Sequence, residues 1–137
     1  IITPFGQPDW YRELNPLGRI PAFRDGDLTL ADLDGEPVDL IVGDVSFISL
    51  RLLLQPMLTV LKPSGTALLL VKPQFEVGRG GHDSRGVVRD DAVRRRCVDD
   101  VVAGACELGW REAWRGVSGT PGTSGNIEYF VQLVHHE

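Results

Sequence analysis

Cysteine is scarce in this chain. Cys97 and Cys106 are the only two among 137 residues. They sit nine residues apart in a helix-like segment, on different faces, which is poor geometry for a disulfide. No Cys-x-x-Cys pair or His/Cys cluster occurs, so no zinc or other metal site is expected. His135 and His136 read as a frayed end rather than as ligands. No apolar run approaches the roughly 18 residues of a membrane span, and no signal peptide is recognisable. The expectation is a reduced, cytoplasmic protein that does not enter membranes. A net charge of −5 excludes a global basic field. Internal repeats and low-complexity tracts are also missing.

What remains is the composition of one ordinary globular domain, with 42% hydrophobic and 24% charged residues. The charge is unevenly spread. Between Lys72 and Arg96 seven basic residues (Lys72, Arg79, Arg85, Arg89, Arg94, Arg95, Arg96) face four acids, so that window carries +3 and the rest −8. Such a window is either a solvated face or a contact for an acidic partner.

The segment "VDLIVGDV" (38–45) is a near-continuous apolar run ending at Asp44, as a buried parallel strand would be. "SLRLLLQPMLTVL" (49–61) predicts a helix with Ser49 as N-cap and Pro56 as a kink or boundary. "KPSG" (62–65) reads as a turn, and "TALLLVK" (66–72) as a second buried strand. A Gly- and Arg-rich loop fills 75–90. A helix then starts at Asp90 or Asp91 and runs to about Leu108, with Gly109 at C′. "WREAWRGV" (110–117) and "NIEYFVQLV" (126–134) are the last strands. The order predicts an α/β domain of three layers, parallel strands with an antiparallel end. Residues 1–33 are dense in Pro, Gly and turn dipeptides. There "IPAF-RDGD-LTL" predicts a hairpin with Asp25-Gly26 in its turn, and Asp9 to Leu14 is the only helix-period stretch.

Ligands of open α/β sheets bind beyond the carboxyl ends of the strands. Asp44 and Lys72 end neighbouring strands, about 4.8 Å apart if paired, and Glu128 starts an antiparallel strand at the same edge. These three side chains converge by topology. An ordinary rim ion pair with a third acid nearby gives the same pattern.

The stretches "DLIVGDVSFISL", "LLLVKPQFEVGRG", "GVVRDDAV" and "GTSGNIEYFVQL" resemble, in order and over about residues 28–137, the TlyA family. These are ribosomal RNA 2′-O-methyltransferases, once called hemolysins, with an FtsJ-like catalytic domain. The resemblance implies a Rossmann-type sheet, S-adenosylmethionine as cofactor and ribosomal RNA or a ribosomal subunit as partner. Of the family's Lys-Asp-Lys-Glu tetrad it carries Asp onto Asp44, the second Lys onto Lys72 and Glu onto Glu128, with Asp44 also at the cofactor. The first Lys and the Gly-rich turn that cradles the cofactor belong upstream of Val38, where no such turn occurs, and the S4-like domain is absent. Residues 34–137 thus resemble the C-terminal half of the catalytic domain, expected to bind cofactor weakly and to be inactive alone. The rival expectation is a non-catalytic RNA-binding or assembly module.

Phe47 and Phe75, after the strand tips, and Arg79 are the candidate substrate contacts: the rings for stacking on a base, or simply packing on the adjacent helix. "GRGGHDSRG" (78–86) resembles the family's flexible loop, and could cover substrate or only connect. "GTPGTSGN" resembles the turn before the Glu strand. Residues 1–33 have another resemblance: "YRELNPLGRIPAFRDGDLTLAD" is similar to part of a glutathione S-transferase thioredoxin-like domain, which implies a cis Ile20-Pro21 bond, though Leu33 stands where that family has Ser. Finally, the strand 38–45 is expected to have an open edge, covered by the hairpin or by a second copy in a homodimer.

Overall fold

The computed structural model describes residues 37–136 and two strands before them. Those two, β1 (Phe23–Asp25) and β2 (Leu28–Leu30), pair antiparallel with Phe23 opposite Leu30 and Asp25 opposite Leu28. The hairpin read from the sequence forms, with Asp25 in the first strand rather than in the turn. The Asp9–Leu14 helix and the Ile20-Pro21 bond lie outside the described residues.

Four strands build the main sheet, in the order β3 (Val38–Gly43), β4 (Leu61–Val71), β6 (Tyr129–His135), β5 (Trp110–Val117). β3 and β4 are parallel, and β6 runs antiparallel to both β4 and β5. Among the described residues the hairpin pairs only with itself, so it does not lie beside β3 as expected. The reading of 62–65 as a turn is also corrected. These residues belong to β4 as a bulge, because Val38 pairs with Leu61 while Leu40 pairs with Thr66. Pro63 cannot donate to a ladder, and a bulge lets the strand pass it.

Helices fill one face. A 3-10 turn (Leu50–Leu52), capped by the Ser49 hydroxyl accepting from the Arg51 N–H at 3.2 Å, leads into α1 (Leu54–Thr59). Pro56 sits in the first turn of α1, where an N–H would have no intrahelical partner. The four-residue α2 (Pro73–Glu76) follows β4 directly. In α3 (Asp91–Glu107), the Asp90 carboxylate accepts from the N–H groups of Ala92 (2.8 Å) and Val93 (3.3 Å). Gly109 closes α3 with φ +88°, a conformation costly for any residue with a Cβ.

Strand alternation explains the core. Ile41 of β3, Ala67, Leu69 and Val71 of β4, and Val131 and Leu133 of β6 face the helices, where Leu54, Met57, Val98, Val101 and Ala105 bury them. Each such large apolar side chain stabilises the fold by roughly 1.5–3 kcal/mol. The opposite face is not covered in the same way. Leu40, Val42 and Trp114 lie 59%, 48% and 51% exposed. Among the described residues the layers are therefore two, not three: every helix packs on the Ile41 side. A bulge between Glu112 and Trp114 turns Trp114 to the open face and lets Arg115 reach Asp99 of α3 at 2.8 Å.

Candidate active site

The carboxyl edge of the sheet gathers the acids and the lysine. Asp44 follows the last residue of β3 and Lys72 the last residue of β4, each one position beyond its strand. The Lys72 Nζ lies 2.5 Å from Asp44 Oδ1 and donates to Ser46 Oγ at 2.9 Å. The lysine side chain is only 13% exposed, whereas Asp44 is 57% exposed. Lys72 is also the N-cap of α2, with Pro73 buried at the first helical position. That answers why a strand ends in Lys-Pro: the proline starts a helical turn and fixes the lysine backbone at the rim.

Glu128 reaches the same edge through the antiparallel register. Val71 pairs with Tyr129, so Glu128 stands one step further along, beside Lys72. It is 6% exposed. Its Oε2 accepts from Gln74 Nε2 at 3.0 Å, and its carbonyl accepts from the Ser118 N–H at 2.8 Å. The Gly122 backbone closes against the carboxylate: a Cβ there would lie 2.5 Å from Glu128 Cδ. A side chain at this position would push the carboxylate from its place. The structure thus joins Asp44 and Lys72 directly and brings Glu128 to their edge, bonded to Gln74 rather than paired with Lys72.

Phe47 and Phe75 form an aromatic pair beside this cluster, ring centroids 5.1 Å apart at 49°. Phe47 is 86% exposed and holds φ +64°, an uncommon backbone for a residue with a Cβ. Arg79 is exposed in the loop after α2. That loop has firm anchors. Asp83 accepts from the N–H groups of Arg85 (2.8 Å) and Val87 (2.9 Å) and from Arg89 Nε (2.6 Å). These bonds, the Val87 N–H foremost, hold its carboxyl down at a pKa of about 2. Val87 and Val88 are buried.

Three polar residues that bind the site together escape a reading for chemistry. Glu76, nearly buried, accepts from Ser49 Oγ (2.6 Å) and the Leu50 N–H (2.7 Å), with Arg51 Nε 3.7 Å away. It ties the segment after Asp44 to the segment after Lys72. Burial pushes its pKa up against the lowering pull of those hydrogen bonds and of Arg51. Asn126, 3% exposed, accepts from the Val88 N–H at 3.0 Å and donates to the Gly86 and Thr123 carbonyls at 3.0 Å. Gln74 is the third. Nothing local marks Glu76 or Gln74, because their partners lie 26 to 54 residues away.

The family model described as FtsJ-like methyltransferase matches residues 13–135. The chain belongs to this family. The match reaches back into the 1–33 segment, and the glutathione S-transferase resemblance of that segment finds no support. The chain is 46% identical over 99 residues to the 16S/23S rRNA (cytidine-2′-O)-methyltransferase TlyA of Mycobacterium tuberculosis, covering 72% of the chain and 37% of that protein. It is 31% identical over 123 residues to Hemolysin A of Brachyspira hyodysenteriae, covering 90% and 51%. The structure of a hemolysin-like protein from Streptococcus thermophilus superposes with a TM-score of 0.72 at 33% identity, over 77% of this chain and 38% of that one. The chain therefore spans between about a third and a half of the curated relatives it matches. FtsJ-like methyltransferases generally use S-adenosylmethionine. No helix among the described residues is long and apolar enough to cross a membrane.

Proposed function

We propose that this FtsJ-like chain carries the acceptor side of a ribosomal RNA ribose 2′-O-methyltransferase of TlyA type, acting in the cytoplasm. The observation that carries the reading is the Lys72 ammonium at the carboxyl edge, bound to Asp44 and Ser46 with Glu128 alongside. A ribose hydroxyl is a weak nucleophile, so the site must take its proton or neutralise its oxygen as charge develops. Lys72 is the group for that task, and Asp44 and Glu128 keep lysine and hydroxyl in register. The Phe47–Phe75 pair offers a flat apolar surface on which a nucleotide base can stack, worth about 1–3 kcal/mol per base in other proteins. Arg79 lies within reach of a phosphate backbone.

S-adenosylmethionine, when bound, supplies the methyl group. The exposed Asp44 carboxylate suits its cationic portion, and it stands at the free edge of β3, where a switch point would lie. No Gly-rich turn after a strand precedes Val38 in the sequence, so the chain alone is expected to bind the cofactor weakly. The second reading is a non-catalytic RNA-binding or assembly module. We assign residues 34–137 to the catalytic domain and 1–33 to a segment before it, which the family match enters from residue 13, and a homodimer through the β3 edge is the assembly suggested by its edge position among the described residues.

Two measurements test this. The first titrates the chain with S-adenosylmethionine by calorimetry. The second follows labelled methyl transfer to unmethylated ribosomal subunits by a version extended to the length of its relatives, in which Lys72→Ala should lower that transfer by about 10²–10⁴-fold with RNA affinity largely kept. Unchanged transfer in Lys72→Ala ends the catalytic assignment, and RNA binding with no transfer by the extended version without substitutions favours the second reading.

A further inference from the structure

We propose that Gln74 is a positioning residue that holds Glu128 away from Lys72, so that one N–H of the lysine stays open for the incoming hydroxyl. An ammonium has three N–H donors. Asp44 and Ser46 engage two of them at Lys72. A carboxylate as buried as Glu128 seeks a donor, and the neighbouring cation at this edge is Lys72. Glu128 nevertheless binds Gln74 Nε2 at 3.0 Å.

The geometry shows that this arrangement is imposed. An ionised carboxylate accepts only, so the Gln74 amide must present its NH₂ to Glu128. Its Oε1 is then buried without a partner. Orphaned buried carbonyls are rare and costly, and an apolar side chain would fill the space without one. The use of an amide here is its grip on Glu128. The Gly122 backbone lies against the other side of the carboxylate, close enough that a Cβ there would meet Glu128 Cδ at 2.5 Å. Loss of the amide would free the carboxylate to turn toward the third N–H of Lys72.

The consequence for turnover rests on the methyl-transfer reading, but the placement of Glu128 does not, and the experiment separates them. Lys62 and Lys72 are the only lysines. Trace acetic anhydride at fixed pH, read by mass spectrometry, reports Lys72 reactivity with Lys62 as internal reference. In Gln74→Met the Lys72/Lys62 labelling ratio should fall about fivefold as Glu128 closes on the amine, and Gln74→Met/Glu128→Gln should restore it. In Glu128→Gln alone the ratio should rise by less than about fivefold, the through-space share of a carboxylate out of contact, an arm that stands even if Gln74→Met fails to fold. An unchanged ratio in folded Gln74→Met overturns the proposal, as does a rise of about fivefold or more in Glu128→Gln, which would mean that the pair is already closed. In ribosomal methyl transfer by a version extended to the length of its relatives, Gln74→Met should lower kcat while KM for RNA holds, whereas a lesion of the fold would move both. Absence of transfer by that version without substitutions would count against the methyl-transfer reading alone, since the labelling ratios still decide where Glu128 points.

Discussion

Glu76 carries a carboxyl into the helix layer, where it meets the Ser49 hydroxyl and the Leu50 N–H. Its pKa in the fold is raised from 4.5, burial outweighing the hydrogen bonds and Arg51. The sign of the linkage follows. The folded state holds this proton more firmly than the unfolded chain, so the group's contribution to stability is full below pH 4.5 and is lost as pH rises through its raised folded value. Glu76→Gln cannot ionise. Its unfolding free energy relative to the unaltered chain should therefore improve from acid toward neutral pH in denaturant titrations, and a flat difference would contradict the assigned cause. Glu76→Ala differs in kind, since it strands a buried N–H and a hydroxyl. A loss of about 1–3 kcal/mol is expected at every pH.

Elements reveal themselves in sequence where their signals are local. Asp90 and Gly109 mark the ends of α3 because a capping carboxylate and a left-handed glycine act within one turn. "WREAWRGV" is β5 end to end. Asp44 and Lys72 were legible as rim residues because a charge after an apolar run is anomalous wherever the run folds. The bulge in β4 was hidden, since Lys-Pro-Ser-Gly has turn chemistry and only pairing with β3 makes it part of a strand. The firmness of the 78–90 loop was hidden too. Its glycines read as flexible, while its anchor, Asn126, is 40 residues from Gly86. Asn126→Ala should release that loop, costing about 1–3 kcal/mol and speeding hydrogen exchange at Val87 and Val88. Asp83 adds a pH signature. Its folded pKa, lowered from 3.8 to about 2, means its contribution is present above pH 3.8 and is lost as pH falls through about 2. Protection at Val87 should survive at pH 4 and fade near pH 2, and in Asp83→Asn it should be weak at both.

At the scale of the whole molecule, the edge of β3 left unpaired among the described residues and the open sheet face meet at Leu40 and Val42, 59% and 48% exposed. They flank Ile41, whose buried side chain ties the strand to the core, and five register pairs with β4 hold its other edge. A strand with exposed apolar side chains and, among the described residues, one unpaired row of backbone groups is what another strand pairs with readily. Among the described residues the hairpin does not occupy that edge. Symmetry then favours two copies joined β3 to β3 about a two-fold axis, because each supplies the same missing row. Such a contact also shields Leu40 and Val42 from water, and a stable one needs roughly 1,200 Å² of buried surface in total, more than two strands alone provide. The dimer should therefore be weak and concentration-dependent. Sedimentation at rising concentration should show reversible self-association, and Leu40→Lys/Val42→Lys should abolish it without lowering stability, since both side chains face solvent in the single chain. Hydrogen exchange at Leu40–Val42 should slow as concentration rises. A chain that stays monomeric while exchanging slowly at those residues would have its edge covered from within, and the pairing of copies would then have no free strand to act on.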